Sequence, residues 1–205
     1  MLSTKSPAIA VAVLVTATLT LTSCSAGEEP MPSPTSVPTF AEVGTRAFEY
    51  TELKQLADNA SAIVLVSPTG KTSDRALPER HGGTEDSAPT EYVEMRVERV
   101  LSGSVSDEVI EVVSPGIDAV TGEIALAAGG PFVIFVAPAM YEADDPAGGY
   151  AIVGGPAGVY ASDGSEFVRV DHESPLLPKT VRAEASALPQ VTRTEAELLA
   201  IGPRG

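Results

Sequence analysis

The chain has 205 residues, a formal net charge of −15 and one cysteine. It therefore has room for one domain of ordinary size, and it cannot form an intrachain disulfide or a multi-cysteine metal site. Acidic residues outnumber basic ones by 28 to 13, which argues against nucleic acid or an anionic membrane surface as the main partner. With 43% hydrophobic and 20% charged residues, the composition favours a folded domain over a disordered polyelectrolyte.

The amino terminus has the features of an export signal. Lys5 supplies a positive charge, and residues 8–21 form an apolar segment long enough for a signal peptide but too short to span a membrane comfortably. The segment ends in Leu21-Thr22-Ser23-Cys24, which resembles the lipobox of bacterial lipoproteins. The resemblance implies a signal peptide over 1–23, diacylglycerol on the Cys24 thiol and cleavage before Cys24. An ordinary secreted protein with an unrelated cysteine and a transmembrane anchor are the alternatives.

Lipidation at Cys24 would determine where the protein resides. Because two or more acyl chains hold a protein stably on a bilayer, we expect a lipid-anchored protein on the extracytoplasmic face of the cell membrane. Residues 24–39 are rich in proline and predict an extended linker between this anchor and the folded domain. A proline-rich ligand motif is the alternative interpretation of this segment.

The folded part begins with a predicted helix and strand. Leu53, Leu56, Ala57 and Ala60 have the i, i+3, i+4, i+7 spacing of one apolar helical stripe. The continuous apolar run 62–66 follows directly and predicts a buried strand, which we expect Pro68 to end. Residues 68–90 then form a long polar stretch whose composition favours a mobile loop.

Six more strands are predicted after this loop. Val93, Met95 and Val97 alternate with charged residues, which is the pattern of a half-buried strand. Apolar runs separated by Gly-rich and Asp-Gly turns give the others. The six predicted strands cover 92–101, 109–113, 132–136, 150–153, 159–161 and 167–170.

The carboxyl end predicts a second short helix. Thr194-Glu195-Ala196-Glu197 has the form of a capping box, and the helix that it starts should end at Gly202-Pro203. We expect it either to pack on the β-domain or to form a mobile tail. The domain prediction is a β-domain with an amino-terminal helix over 40–171 and a carboxyl-terminal extension over 172–205.

The predicted fold class is mainly β: a small antiparallel barrel or sandwich with a short helix at each end. The helix, the apolar strand and the alternating strand that ends in Val100-Leu101-x-Gly103 resemble a group of uncharacterised secreted bacterial proteins. Two later motifs fit the same group: Gly129-x-x-x-Val133-x-Phe135-Val136 and Gly154-Gly155-Pro156-x-Gly158. The resemblance covers roughly residues 50 to 161 and implies an OB-like β-barrel. Such barrels often bind oligonucleotides or oligosaccharides, and the acidic composition disfavours the former.

The two histidines are the candidates for catalysis. His81 lies in the long polar stretch with Glu79 and Glu85 nearby, where a metal site is the alternative to a mobile loop. His172 lies between Asp171 and Glu173, but neighbours on a strand point to opposite faces, so Asp171 is poorly placed to orient it. We therefore expect His172 to be an exposed residue at a strand end.

Other polar motifs are predicted to be turns. Gly70-Lys71-Thr72 lacks the upstream glycine of a phosphate-binding loop, since Leu65 occupies that position. Glu142, Asp144 and Asp145, and likewise Asp163-Gly164-Ser165-Glu166, lack the ligand spacing of an EF-hand calcium loop and are interpreted as hairpin turns. Four tyrosines could line a ligand groove, with packing inside the barrel as the alternative: Tyr92, Tyr141, Tyr150 and Tyr160.

Together these features predict a cell-envelope lipoprotein that acts as a tethered binding or interaction module without catalysis. We expect no catalytic residue, metal or cofactor, and a protein or glycan of the envelope as the partner in addition to the membrane at Cys24. An extracytoplasmic hydrolase acting on envelope material and a purely structural tethered domain are the alternatives.

Overall fold

The computed structural model describes residues 49–85, 87–116 and 125–202. The predicted signal peptide, the lipobox with Cys24 and the proline-rich linker lie outside these residues. The described part is mainly β, as predicted. Its helices and strands are α1 Leu53–Asp58, β1 Ala62–Arg75, β2 Thr90–Gly103, β3 Val109–Val113, β4 Phe132–Glu142, β5 Asp145–Ile152, β6 Val159–Ser162, β7 Phe167–Arg169, β8 Thr180–Val181 and α2 Glu195–Ile201.

The strands form one mixed sheet in the order β1-β2-β3-β5-β4-β6-β7-β8, and β1 also pairs with β4. The prediction of an antiparallel sheet is wrong at one pair, because β3 and β5 run parallel with Val112 opposite Tyr150. The alternation of apolar and polar residues indicates which residues of a strand are buried. It does not indicate which strand pairs with β3, because that pairing depends on the tertiary structure.

Pro68 does not end β1, contrary to the prediction. Pro68 lies opposite Met95 and Thr72 lies opposite Val93, so β1 takes four residue steps where β2 takes two. A bulge of this kind accommodates a proline that cannot donate to the ladder. Gly70, with a φ of 81°, provides the left-handed conformation inside it. The connection between β1 and β2 is therefore only 76–89, and it contains a 3₁₀ turn at Glu79–His81.

The apolar runs of β1 and β4 are buried on both faces. Val64 and Ile134 belong to one core cluster, which also contains Val93 and Met95 of β2. Ile63 and Phe135 point the other way, into a second cluster that includes Leu56 of α1. Complete burial of such a side chain contributes about 1.5–3 kcal/mol, which explains why these strands lack polar alternation.

The other strand predictions are confirmed, with differences at the ends. β3 has the predicted bounds, whereas β4 and β5 extend into a hairpin that closes with Glu142 opposite Asp145. The sequence does not predict β8, because a strand of two residues is too short to show a hydrophobic pattern. β8 pairs with β7. It shows that the carboxyl-terminal extension contributes to the same sheet.

Both predicted helices are present, and α2 packs on the β4–β5 hairpin rather than forming a mobile tail. Thr194 is its N-cap, and Thr194 and Glu197 form the predicted capping box. The Asp144 amide donates to the Leu199 carbonyl at 3.1 Å. The Tyr150 hydroxyl of β5 donates to the Glu195 carboxylate at 3.2 Å. No helix in the described ranges is both long and apolar enough to cross a membrane.

Candidate functional site

His81 is fixed against the β4–β5 hairpin. Its ring stacks on Tyr141, with centroids 4.6 Å apart and the planes inclined by 23°. Nε2 lies 2.7 Å from Asp145 Oδ2, and Nδ1 lies 3.9 Å from Glu142 Oε1. Only 11% of the His81 side chain is exposed, so this residue does not belong to a freely solvated loop. We call Arg80, His81, Tyr141, Glu142 and Asp145 the His81 cluster.

Asp145 receives hydrogen bonds from both neighbouring residues of the β1–β2 connection. Arg80 Nη2 donates to Oδ1 at 2.9 Å, in addition to the contact of His81 Nε2 with Oδ2. Partial burial acts to raise the pKa of Asp145, but the hydrogen bonds from His81 and Arg80 outweigh it and hold the pKa below its ordinary value. The carboxylate therefore carries its charge at neutral pH and binds the connection to the hairpin.

The geometry of His81 differs from that of a catalytic base. Such a histidine places one ring nitrogen on an orienting acid and the other on a nucleophile. In the His81 cluster, both ring nitrogens face carboxylates. Among the described residues, no group of three or more His, Cys, Asp or Glu side chains has an arrangement that could hold a metal ion.

His172 is exposed, as predicted, whereas its neighbour Asp171 is buried. The Asp171 carboxylate accepts a hydrogen bond from the Glu173 amide at 2.9 Å, which directs it into its own turn. The two side chains thus point to different environments, and the structure does not combine them into one site.

Lys71 lies in the bulge of β1, so the predicted turn at Gly70-Lys71-Thr72 is instead an irregular part of a strand. Lys71 Nζ lies 3.1 Å from Glu94 Oε1 on the neighbouring strand, and the lysine is exposed. An exposed ion pair of this type contributes at most about 1 kcal/mol.

The two acidic segments are hairpin turns, as predicted. Asp144 adopts a left-handed φ of 59° in the β4–β5 turn. Asp163 Oδ1 accepts from the amides of Ser165 and Glu166, each at 2.8 Å, in the β6–β7 turn. These backbone hydrogen bonds, first that of Glu166, lower the pKa of Asp163. Its lone pairs thus stabilise the turn itself.

Three of the four candidate tyrosines are core residues. Tyr92, Tyr150 and Tyr160 are at most 7% exposed, and Tyr141 alone is partly accessible, beneath His81. Next to Tyr92, the Arg75 guanidinium lies 4.0 Å above the ring and also forms an ion pair with Glu111. These contacts join β1, β2 and β3 at the end of the sheet from which the β1–β2 connection leaves.

A cavity of about 190 Å³ lies between α2 and the β4–β5 pair. Polar and apolar atoms contribute about equally to its walls, and the apolar side chains include Pro138, Met140, Ile152, Leu198 and Ile201. Of the described residues that line it, Arg193 alone is charged. Arg193 Nη1 is buried and has no hydrogen-bond partner among the residues that the structure describes.

No sequence pattern assigns a role to Arg193, because the segment before α2 has only the composition of a coil. A single arginine in Val191-Thr192-Arg193-Thr194 has no periodic pattern around it. The capping box at Thr194 predicts where the helix starts, but only the packing of α2 on the hairpin turns the guanidinium toward a cavity.

Comparisons of the chain with protein-family models, with curated proteins and with solved structures find no match.

Proposed function

We propose that the protein is a lipid-anchored binding module of the cell envelope, attached to the membrane at Cys24, and that it acts without catalysis. In this proposal the β-domain recognises an envelope protein at the surface around the His81 cluster. The observation that carries the proposal is the attachment of the β1–β2 connection to the β4–β5 hairpin by His81. It gives two connecting segments one defined geometry before any partner arrives, and such preorganisation lowers the cost of binding.

The proposed scaffold is an OB-like barrel. β1 pairs with β2 and with β4, β2 pairs with β3, and β3 and β4 each pair with β5. This succession returns to its first strand, which is what closure of a five-stranded barrel requires. In OB-folds, the connection between strands 1 and 2 and that between strands 4 and 5 flank the ligand site. The His81 cluster joins these two connections.

Charge favours a basic protein surface as the partner. Four carboxylates in the two segments are exposed: Glu79, Glu85, Glu142 and Asp144. The one arginine in the described part of these segments, Arg80, is already paired with Asp145. An acidic surface attracts a basic patch and repels phosphate backbones, which supports the exclusion of nucleic acid. A neutral glycan is the alternative partner.

One observation favours the rival hydrolase, namely the 2.7 Å contact between His81 and Asp145. A histidine held by an aspartate supplies two of the three members of a catalytic triad. The second ring nitrogen, however, faces Glu142 at 3.9 Å rather than a hydroxyl or thiol. The contact therefore supports a structural attachment better than a proton-transfer site.

The test is photo-crosslinking in cells that express the full chain, with a photoreactive amino acid at the exposed Glu142. We expect a reproducible protein adduct whose yield falls as salt is raised, because the attraction is electrostatic. The matched control carries the same group at Glu108, which is also exposed but precedes β3. Introducing His81→Ala into the Glu142 variant should lower the yield, since the hairpin loses its attachment.

Equal adducts at both positions, or an adduct that is insensitive to salt and to His81→Ala, would contradict the proposed surface. An absence of any reproducible adduct would favour the purely structural tethered domain.

A further inference from the structure

The cavity beneath α2 is lined by a cation, Arg193, that forms no ion pair with any described residue. An arginine side chain remains charged at every pH at which proteins fold. Burying part of such a charge without a hydrogen-bond partner is unfavourable. Arg193 Nη1 is in this position, and it belongs to the one charged residue among the described residues that line the cavity.

The two carboxylates of α2 accept hydrogen bonds from other residues. Glu195 accepts the Tyr150 hydroxyl at 3.2 Å, and Glu197 accepts the Thr194 amide at 2.7 Å. The hydrogen bonds from Thr194 hold the pKa of Glu197 below its ordinary value, and Arg193 adds only a smaller lowering. Among the described residues, none therefore accepts a hydrogen bond from Arg193 Nη1.

The size and the walls of the cavity restrict the ligand. A cavity of about 150 Å³ with apolar walls can hold a benzene molecule, and this cavity has about 190 Å³. Pro138, Ile152 and Leu198 present apolar surface that a small inorganic anion would leave uncovered. A carboxylate matches the guanidinium because two parallel hydrogen bonds can form.

We propose that the cavity beneath α2 binds a small monocarboxylate with an apolar body of about eight or nine non-hydrogen atoms in total, whose carboxylate pairs with Arg193. The apolar body occupies the space between α2 and the β4–β5 pair. The residues of this site are different from those of the His81 cluster. The proposal of a carboxylate site is therefore independent of the protein partner proposed above.

The test compares hexanoate with hexanamide, a neutral molecule of nearly the same shape, by calorimetric titration of the purified protein. We expect hexanoate to bind about tenfold or more tightly than hexanamide, because a hydrogen bond to a charged group is worth about 1.5–3 kcal/mol. Inorganic phosphate, which has the charge without the apolar body, should bind more weakly than hexanoate.

Three variants separate the charge from the cavity. Arg193→Met should abolish the preference for hexanoate, while the stability of the free protein stays equal or rises because an unpaired charge is removed. Ala137→Leu should block both ligands by filling the space, since Ala137 lines the cavity. The matched control is Arg182→Met, an exposed arginine that does not line it, and it should bind as the unchanged chain does.

Equal affinity for hexanoate and hexanamide in the unchanged protein would overturn the proposal without any variant. It would also be overturned if hexanoate showed no saturable binding, or if Arg193→Met bound hexanoate as tightly as the unchanged chain does.

Discussion

The Tyr150 hydroxyl is the one side-chain group of β5 that donates a hydrogen bond to α2 among the described residues. Burial first of all, and then the Glu195 carboxylate, raise the pKa of Tyr150 to about 12. Since the ordinary pKa of tyrosine is about 10, the folded protein holds this proton more tightly than the unfolded chain does. The contact therefore stabilises the fold fully below pH 10.

Tyr150→Phe should lower the free energy of unfolding at pH 7 by about 1 kcal/mol, through loss of the hydrogen bond. Between pH 10 and pH 12 the unchanged chain should lose stability faster than the variant, because the folded state resists ionisation of Tyr150. Urea unfolding at several pH values measures both effects.

The matched control is Glu195→Gln, whose amide oxygen can still accept from the hydroxyl but carries no charge. It should keep more of the stability at pH 7 than Tyr150→Phe and soften the alkaline loss. If the unchanged chain and Tyr150→Phe lost stability in parallel above pH 10, the raised pKa of Tyr150 would be refuted.

Among the elements, the β1–β2 connection shows how charge can order a segment with few apolar residues. Its 3₁₀ turn is held by backbone bonds such as that from the His81 amide to the Pro78 carbonyl at 2.9 Å. The side chains of Arg80 and His81 then attach it to Asp145 on the β4–β5 hairpin. The polar composition of the loop predicted mobility because none of these partners is close in sequence.

Asp145→Asn should weaken this attachment in a pH-dependent manner. The pKa of Asp145 lies below its ordinary value in the folded state, so the advantage of the unchanged chain should be complete above about pH 4 and decline as the pH falls further. The urea midpoint of both proteins between pH 6 and pH 2.5 measures this difference.

Asp144→Asn provides the neighbouring control, since Asp144 is exposed and asparagine tolerates its left-handed φ of 59°. This variant should follow the unchanged chain over the whole pH range. The opposite outcome is a difference in urea midpoint between Asp145→Asn and the unchanged chain that stays constant down to pH 2.5. That result would show that the charge of Asp145 does not attach the β1–β2 connection to the hairpin.

For the whole molecule, the proposed lipid anchor would determine the cellular location of the acidic β-domain. If Cys24 is lipidated as proposed, residues 24–39 would lie between the bilayer and the folded part, and an extended chain of about 3 Å per residue would span some tens of ångströms. The partner surface and the carboxylate cavity would then both be presented to the extracytoplasmic space.

The substitution Cys24→Ser should release the protein from the membrane fraction. The protein should also lack the increase in mass that acylation causes, because the diacylglycerol is added to a thiol. Intact-mass analysis and fractionation of the native host measure both. Ser23→Ala is the control, since it keeps a small residue before Cys24. An unmodified Cys24, or cleavage downstream of it, would remove the anchor from the proposal.

The sequence by itself determined the parts of this protein that depend on near neighbours. The stripe from Leu53 to Ala60, the alternation of Val93 and Met95 and the capping box at Thr194 predict α1, β2 and α2, because burial periodicity and helix capping act over a few residues. The Asp163 turn is local for the same reason.

Only the tertiary structure decided the parts that depend on distant residues. Three of these parts join residues far apart in the chain: the parallel pair β3–β5, the pairing of β1 with β2 beyond Pro68 and the attachment of His81 to Asp145. The position of Arg193 in the cavity depends on how α2 packs. Hydrophobic patterning indicates that a side chain is buried, but it does not indicate which distant group the side chain contacts. The reason is that the hydrophobic effect is non-directional, whereas hydrogen bonds and ion pairs require a particular partner and geometry.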